Sequence, residues 1–401
     1  MRFWTGPLHV RAAVRGWCFA ALVLLVATGP ATARAAERDR DFAVGHVYVL
    51  DNNLTGTNSI TIFARTADGA LHAEATTPIG GLGSVTAFLD GTQGSLIRTP
   101  NGSRLFAVDA GSDQISVLDT DDDGGLRLRG VFPSGGAGPV SLSYHDGLLY
   151  VLNAANPGTV PTNASANVAG FRVDGWGGLH PIPGATKPLS TAHPNPAQVQ
   201  LSPDGRELIV TEKSNNLIDL YRVAGDGSLS GPTTVPSVGN YPFGIAFDPT
   251  HLHELLVDDG FSGAVTAYQQ FDMQLRLVDG PVPDFGVAPC WIVITGDGRF
   301  AYVSNADSFS ISGYRIHSNA TISLLDPNGV TATTPRDTFP IEEALSRDSQ
   351  FLYVLDSRLL NVPPGPAALS GFRIGDDGHL TAVVDPASIS LPFSAIGLTA
   401  I

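Results

Sequence analysis

Polar residues that could do chemistry recur just after short apolar runs that end in Val. Two residues past each closing Val the chain carries an acid, an amide or, in one case, an alanine: Asp51, Ala110, Asn153, Glu212, Asp259, Asn305 and Asp356. Carboxylates and amides arranged around a channel could bind a sugar, a lactone or a hard cation such as Ca²⁺. Each group taken alone could instead cap a turn by hydrogen-bonding the backbone.

One of these positions differs from the others. Glu212 and Lys213, in the segment VTEK, break the Asp/Asn pattern, and His193 stands upstream in TAHPNP. A carboxylate, an ammonium and an imidazole could form an acid/base group. Glu212 or His193 would then act as general base, and Lys213 or Arg358 would stabilise an oxyanion. Lys213 could equally serve only to neutralise an acidic rim.

Further candidates for a ligand-binding rim stand beside these positions or at the start of the apolar run that precedes them. They are Asp109, Gln198, Tyr241, Trp291 and Glu342. The chain has no G-x-S-x-G nucleophile elbow, no H-E-x-x-H helix motif and no Gly-rich phosphate loop with Lys. The motifs therefore predict no metal ion or cofactor, although a divalent cation such as Ca²⁺ could still bind in a channel.

The elements that must position these residues are seven imperfect repeats. The closing valines lie 43 to 59 residues apart: Val49, Val108, Val151, Val210, Val257, Val303 and Val354. Each run is followed by an alternating run, an Asp/Gly turn, a run opening on Leu or Ile, and in six cases a Pro before the next apolar run. Period-2 alternation and this spacing predict an all-β protein, a seven-bladed β-propeller with four antiparallel strands per blade.

The first complete strand after the N-terminal segment, HVYVL, is the second strand of a blade. The missing first strand stands at the other end of the chain, in residues 394–401 (SAIGLTAI). The C-terminal strand should therefore join the N-terminal blade and close the ring, which removes exposed sheet edges. An open solenoid would need polar capping repeats, and this chain ends on an apolar strand.

The N-terminal 36 residues differ in composition from the rest of the chain. Early arginines, an apolar run from residue 16 to 27 and A-x-A sites at 31–35 predict a cleaved secretory signal peptide. Residues 37–44 would be a short segment and 45–401 a single propeller. Cleavage removes four arginines and no acid, and leaves a net charge of −19. Such a chain should avoid nucleic acid and, once processed, membranes, and we expect a monomer outside the cytoplasm.

Length variation collects in one set of loops. The turns between first and second strands and between third and fourth strands are short, whereas long segments cover residues 80–94, 156–167, 184–195 and 357–368. In a propeller these long segments all fall on one face, which we call the insertion face. Insertions that collect on one face usually mark the binding side.

The repeats resemble the lactonase-type seven-bladed propellers, the group that includes 6-phosphogluconolactonase and the fungal carboxymuconate cyclases. The matching stretches are residues 94–118, 200–223 and 372–383. The resemblance implies opening or closing of a lactone ring in the central cleft without an obligatory metal. The sugar-phosphate lactonases commonly carry an H-P-H motif where this chain has Asn195, Pro196 and Ala197. An Arg often found in the next strand is also absent. These departures argue against phosphosugar hydrolysis.

Two hypotheses follow. In the first, the protein is a secreted lactonase-like hydrolase that acts on an unphosphorylated lactone or cyclic acid, with a small lactone or sugar-like molecule as its partner. In the alternative, it is a non-catalytic extracellular binding propeller for a glycan, a peptide or a protein. The fold alone cannot decide between them.

Overall fold

The computed structural model describes residues 43–84, 93–155, 164–358 and 365–401. The described chain forms seven antiparallel sheets of four strands, two of which gain a short fifth strand, and a single 3₁₀ turn at Pro386–Ser388. The predicted seven-bladed propeller is confirmed. The predicted signal peptide and the central parts of the longest insertions lie outside the described residues.

Blades 1 to 4 contain the following strands in chain order. Blade 1 has β1 Gly45–Leu50, β2 Thr57–Arg65 and β3 Leu71–Leu82; blade 2 has β4 Leu96–Arg98, β5 Arg104–Asp109, β6 Gln114–Thr120 and β7 Leu126–Pro133; blade 3 has β8 Pro139–His145, β9 Leu148–Asn153, β10 Asn167–Val173, β11 Leu179–Pro181 and β12 Lys187–Pro188; blade 4 has β13 Pro196–Leu201, β14 Glu207–Glu212, β15 Leu217–Val223 and β16 Leu229–Pro236.

The remaining strands complete the ring. Blade 5 has β17 Pro242–Phe247, β18 Glu254–Asp259, β19 Ala264–Phe271 and β20 Gln274–Pro283; blade 6 has β21 Pro289–Ile294, β22 Phe300–Asn305, β23 Ser310–Ile316, β24 Ile322–Leu324 and β25 Ala332–Thr333; blade 7 has β26 Phe339–Leu345, β27 Phe351–Ser357, β28 Ala368–Ile374 and β29 Leu380–Val384; β30 Leu398–Ala400 is the inner strand of blade 1.

The C-terminal strand closes the ring as predicted. β30 pairs antiparallel with β1, and the order in blade 1 is β3-β2-β1-β30. The pairing continues beyond the strand, because Leu50 N donates to Gly397 O at 2.9 Å and Ile401 N donates to His46 O at 2.9 Å. Blade 1 therefore combines the first and the last strands of the described chain.

A tyrosine in the middle of the second strand ties neighbouring blades together. Its hydroxyl donates to a Gly carbonyl in the third-to-fourth-strand turn of the next blade. The four pairs are Tyr48 with Gly124 (3.0 Å), Tyr150 with Gly227 (2.6 Å), Tyr302 with Gly378 (2.7 Å) and Tyr353 with Gly69 (2.9 Å). The last pair joins blade 7 to blade 1, so the D-G turns of the repeat are also part of ring closure.

The strand register corrects the sequence alignment in blade 2. In blades 1 and 6 the closing valine faces a hydroxyl residue of the third strand: Val49 lies opposite Thr61 and Val303 opposite Ser312. In blade 2 the equivalent hydroxyl residue, Ser116, lies opposite Ala107. The true counterpart of Asp51 is therefore Asp109, and Ala110 falls one residue beyond the strand. The error arose because LFAVDA contains two small apolar residues that fit the closing position.

Each inner strand with a proline as its first or second residue has an irregular start. The register shifts directly after Pro139, Pro196, Pro242, Pro289 and Pro340. An extra residue at this point is a β-bulge, which redirects the following side chains. Proline suits the position because the inner strand is a sheet edge. The bulges therefore decide which side chains face the centre of the ring.

Candidate functional site

The seven inner strands surround a central channel with a volume of about 420 Å³. Its lining includes Gln93, Gln198, Gln200, Glu342 and Glu343. Gln93 and Gln198 lie toward the insertion face, where inner strands begin, and Gln200 lies near the other end of β13. Arg98 lies where β4 ends, and its Nε donates to Ala400 O at 2.7 Å. Among the described residues that line the channel, the charged types are the two glutamates and this arginine. The space suits a small ligand.

Glu342 and Glu343 are consecutive residues of β26 that follow the bulge after Pro340. They are only 3% and 5% exposed. Glu342 Oε1 accepts from Gly94 N at 3.2 Å, whereas Glu342 Oε2 and both Glu343 oxygens have no hydrogen-bond partner. Burial raises the pKa of both carboxyl groups well above the usual value, assisted by their mutual repulsion at Glu342 and by Asp258 at Glu343. A raised pKa of this kind favours the protonated carboxyl group, which is the form that a general acid needs.

Two glutamine side chains cross-link the inner strands. Gln93 Nε2 donates to Ile292 O of blade 6 at 3.0 Å, although Gln93 belongs to the segment entering blade 2. Gln198 Nε2 donates to Ile245 O of blade 5 at 3.1 Å. The Gln93 Oε1 atom is buried without a partner. It lies beside Gly244, where a Cβ would come within 2.3 Å of it and within 2.4 Å of Asp258 Oδ2. The absence of a side chain at Gly244 therefore makes room for the Gln93 amide and the Asp258 carboxyl group.

The acids and amides at the second-strand ends, predicted as a ligand-facing rim, mostly bond to the third strand of their own blade. Ser59 and Thr61 donate to Asp51, Ser116 to Asp109, Thr266 to Asp259 and Ser370 to Asp356, at 2.5 to 3.1 Å, while Asn153 bonds Asn167 and Asn305 bonds Ser312. Burial raises the pKa of Asp51 and Asp109 to about 6 and that of Asp259 and Asp356 to about 7. We call this repeated bond the strand clasp.

Several strand clasps also contact the connection that enters their blade. A Cβ at Gly81 would lie 2.1 Å from Asp109, one at Gly136 would lie 2.7 Å from Asn153, and one at Gly239 would lie 1.9 Å from Asp259. Asn58 of blade 1 also donates to Asp109 Oδ1 at 3.0 Å. These contacts hold adjacent blades together, so the clasp is a structural device repeated around the ring.

The four residues predicted to be catalytic contact different neighbours. Glu212 accepts from Ser190 N at 2.9 Å and from Asn215 Nδ2 at 3.2 Å. The Lys213 ammonium lies 4.6 Å from the centre of the Phe243 ring in blade 5. The exposed His193 bonds Ala155 O through Nδ1 at 3.1 Å, and Arg358 pairs with Asp337 at 2.9 Å. Glu212 and Lys213 are consecutive, and they face opposite sides of blade 4. Their catalytic roles stay predictions.

Two aromatic candidates lie at the starts of the inner strands of blades 5 and 6, outside the channel lining. Trp291 is 3% exposed, its ring centroid lies 5.3 Å from that of Phe243, and its Nε1 has no partner. Tyr241 precedes Pro242 and packs against Phe261, with ring centroids 4.0 Å apart. The rings of Tyr241, Phe243 and Phe261 line a second cavity between blades 5 and 6.

One cluster of side chains has the donor types that bind metal ions. Across the described residues, one group of His, Cys, Asp and Glu brings its ligand atoms within 4.8 Å of one another: Asp248, His251 and Glu254. It lies in the first turn of blade 5, where Asp248 Oδ1 accepts from Thr250 N at 2.7 Å and its Oδ2 lies 3.1 Å from His251 Nδ1. These bonds account for the cluster as a turn, and the channel glutamates do not form such a group.

Residues that the sequence did not single out complete the channel. Glu343, Gln93 and Gln200 line it alongside the predicted Glu342 and Gln198. The pair of consecutive acids inside the apolar strand FPIEEAL was the available signal, because charged residues are almost never fully buried without a reason. No such signal marks Gln93, whose position depends on contacts across the ring.

Fold and cavity together define a closed seven-bladed propeller with a ligand-sized central channel. The family model described as lactonase, 7-bladed β-propeller, matches residues 56–279, which is more than half of the chain. The chain therefore belongs to this family. No curated protein matches it in sequence. In the part of the chain that the structure describes, no helix has the length and apolar character needed to cross a membrane.

Solved structures share the architecture. The periplasmic gluconolactonase of Pseudomonas aeruginosa is 18% identical with a TM-score of 0.65, over 89% of this chain and 99% of that one. A candidate 6-phosphogluconolactonase of Bacteroides fragilis is 16% identical with a TM-score of 0.62, over 89% and 98%. A Lactobacillus plantarum protein is 15% identical with a TM-score of 0.64, over 89% and 99%. At these identities the likeness is one of fold.

Proposed function

We propose that this protein is an exported, monomeric hydrolase that opens an unphosphorylated lactone or cyclic acid in the central channel. Family membership supports the reaction class, and the name of the Pseudomonas relative supports both an unphosphorylated sugar lactone and export. The observation that carries the proposal is the pair of buried glutamates with three unpartnered oxygens in the channel wall.

The charge of the channel favours the unphosphorylated substrate. A phosphate group is usually held by several Arg or Lys side chains, and the only such residue in the described lining is Arg98, which already donates to backbone carbonyls. Two carboxyl groups and three glutamine amides instead match the hydroxyl groups of a neutral, sugar-like ring.

The chemistry needs one proton acceptor and one proton donor. Water attacks the lactone carbonyl, a carboxylate takes the proton of that water, and the ring C–O bond breaks as the leaving oxygen receives a proton. Glu342 and Glu343 repel each other electrostatically, so one can ionise while the other keeps its proton. The ionised member serves as base and the protonated member as acid. The product is the open hydroxy acid.

The test is a hydrolysis screen of purified protein, with and without chelator. It uses glucono-δ-lactone, an aromatic lactone and 6-phosphogluconolactone, with acid release followed by a pH indicator. We expect turnover of an unphosphorylated lactone above the spontaneous rate, slower turnover of the phosphorylated one, and loss of that turnover in Glu343→Gln. The matched control is Glu207→Gln, since Glu207 is another buried glutamate, 6% exposed, on β14 outside the channel lining.

The same screen distinguishes catalysis by the channel glutamates from catalysis by the residues that the sequence predicted. If Glu212→Gln abolishes turnover while Glu343→Gln does not, the base belongs to the insertion-face group of Glu212, His193, Lys213 and Arg358. If no lactone is hydrolysed above background, the hydrolase proposal fails, and the alternative of a non-catalytic binding propeller replaces it.

A further inference from the structure

A second cavity of about 360 Å³ opens on the insertion face between blades 5 and 6. We call it the blade 5–6 pocket. Tyr241, Phe243 and Phe261 supply aromatic walls, Cys290 lies in its lining, and Asp307 contributes a carboxylate. Asp307 is exposed, in the loop after β22. The pocket is separate from the residues that line the channel.

Tyr241 holds a backbone conformation that its residue type disfavours. Its φ is 68°, and the residues that precede proline at the starts of other inner strands share this left-handed conformation: Gly138 at 62°, Asn195 at 52° and Ala288 at 57°. Gly and Asn adopt it readily, whereas a bulky side chain is an outlier there. Strained residues of this kind cluster at ligand sites. Asn would adopt this conformation with less strain, so the presence of Tyr241 indicates a role that depends on its aromatic ring.

Phe261 extends the pocket wall into solvent. It is 72% exposed, although its ring centroid lies 4.0 Å from that of Tyr241, with the two ring planes tilted by 36°. Val287 at 56% and Phe285 at 69% are also exposed on the connection into blade 6. Of these exposed apolar side chains, Phe261 and Val287 line the cavity, and exposed apolar groups beside a cavity are typical of a binding site. One side of the Phe261 ring is covered by Tyr241, which leaves the rest of it accessible for a second stacking contact.

We propose that the blade 5–6 pocket binds a small planar aromatic compound that carries a hydroxyl group. The ring would stack on Phe261 and contact Tyr241 and Phe243, and the hydroxyl would donate to the Asp307 carboxylate. Asp307 is the charged residue in the described lining, and it disfavours a negative group placed beside it, while the Lys213 ammonium lies 4.6 Å from the Phe243 ring. This site is additional to the proposed channel chemistry and does not depend on it.

The first test compares ligands on the full protein by saturation-transfer NMR. Phenol is the probe, cyclohexanol has the same hydroxyl without a planar ring, and benzoate has the ring with a negative charge. We expect phenol to bind with a Kd of about 1 mM and both others at least about threefold more weakly. Absence of phenol binding overturns the proposal, and equal affinity for cyclohexanol overturns recognition of the planar ring.

The second test locates the site with matched variants. Phe261→Ala should weaken phenol binding about fivefold to tenfold. Phe271→Ala is the control, because Phe271 is also 72% exposed but lies at the end of β19, outside the pocket lining. Tyr241→Asn should stay folded, because Asn195 holds the same conformation, and should lose binding. Unchanged binding in Phe261→Ala, or equal loss in Phe271→Ala, would place phenol elsewhere and overturn the assignment.

Discussion

Two sets of buried acids in this propeller differ in their partners. The aspartates of the strand clasps and the channel glutamates are all excluded from solvent, and burial raises the pKa in both sets. Each clasp aspartate nevertheless accepts a bond from a Ser or Thr hydroxyl of its own blade. Glu343 has no such donor for either oxygen.

The difference shows why burial and a raised pKa do not identify a site by themselves. Each clasp aspartate accepts a hydroxyl bond inside the fold, although one oxygen of Asp259 and one of Asp356 have no partner. A carboxyl group bonded in this way contributes to structure, and removing it should damage folding. A carboxyl group without partners that borders a cavity is available to a ligand, and removing it should damage function instead. Activity and stability measured on matched variants therefore distinguish the two sets.

The largest effect is expected at Glu343. Glu343→Gln should lower kcat/KM for the best lactone at least about hundredfold, the usual contribution of a positioned acid or base. Its Tm should stay within about 2 °C of wild type, because Glu343 makes no hydrogen bond in the fold that the amide would break. Lactone turnover and thermal unfolding measured on one preparation check both parts. A large fall in Tm with intact kcat/KM would show that Glu343 has a structural role, as the clasp aspartates do.

The opposite pattern is expected at Asp109. Asp109→Ala removes the acceptor for Asn58 of blade 1 and for Ser116, both fully buried. Asn58 Nδ2 is then left unpaired, whereas the Ser116 hydroxyl keeps Ile79 O as an acceptor at 2.7 Å. Loss of the buried acceptor should lower the free energy of unfolding by about 1–3 kcal/mol. Urea titration measures this loss, and kcat/KM of the folded fraction should be unchanged.

Asp122→Ala is the control for that measurement. Asp122 is exposed in the turn before β7, and a surface substitution of this kind should change the free energy of unfolding by less than about 0.5 kcal/mol. An Asp109→Ala protein as stable as this control would show that the strand clasp contributes nothing to blade packing.

The sequence predicted the ring better than the site, for a physical reason. Strand starts at Leu126, Leu229 and Pro196 and the closing strand followed from alternation, turn residues and spacing, which are local properties. The bulges after proline insert a residue into the inner strand, and this breaks the period-2 rule that would have told which side chains face the centre. Glu343 was missed where that rule failed.

Other parts of the site depend on contacts between distant blades. Gln93 reaches Ile292 across 199 residues of sequence, and no local pattern encodes that contact. The acids at the second-strand ends were visible in sequence, and their hydroxyl partners on the next strand were visible too. Their pairing became evident only with the strand register, which also moved the blade 2 position from Ala110 to Asp109.

The smallest effect concerns pH and the clasp of blade 5. Burial raises the pKa of Asp259 to about 7 from an ordinary value of 3.8. Between these values the folded protein holds a proton that the unfolded chain has released. This contribution to stability is therefore fully present below about pH 4 and is lost as the pH rises through about 7. Asp51, Asp109 and Asp356 shift in the same direction.

Asp259→Asn should reduce that pH dependence, because the amide does not ionise and its oxygen can still accept from the Thr266 hydroxyl. Blades 3 and 6 already use Asn153 and Asn305 at this position, so the amide fits the clasp geometry. We expect the fall in Tm from pH 5 to pH 8 to shrink by a few degrees relative to wild type. Asn305→Asp is the reciprocal control and should enlarge the fall. If both variants show the wild-type dependence of Tm on pH, ionisation of the clasp acids is not linked to folding.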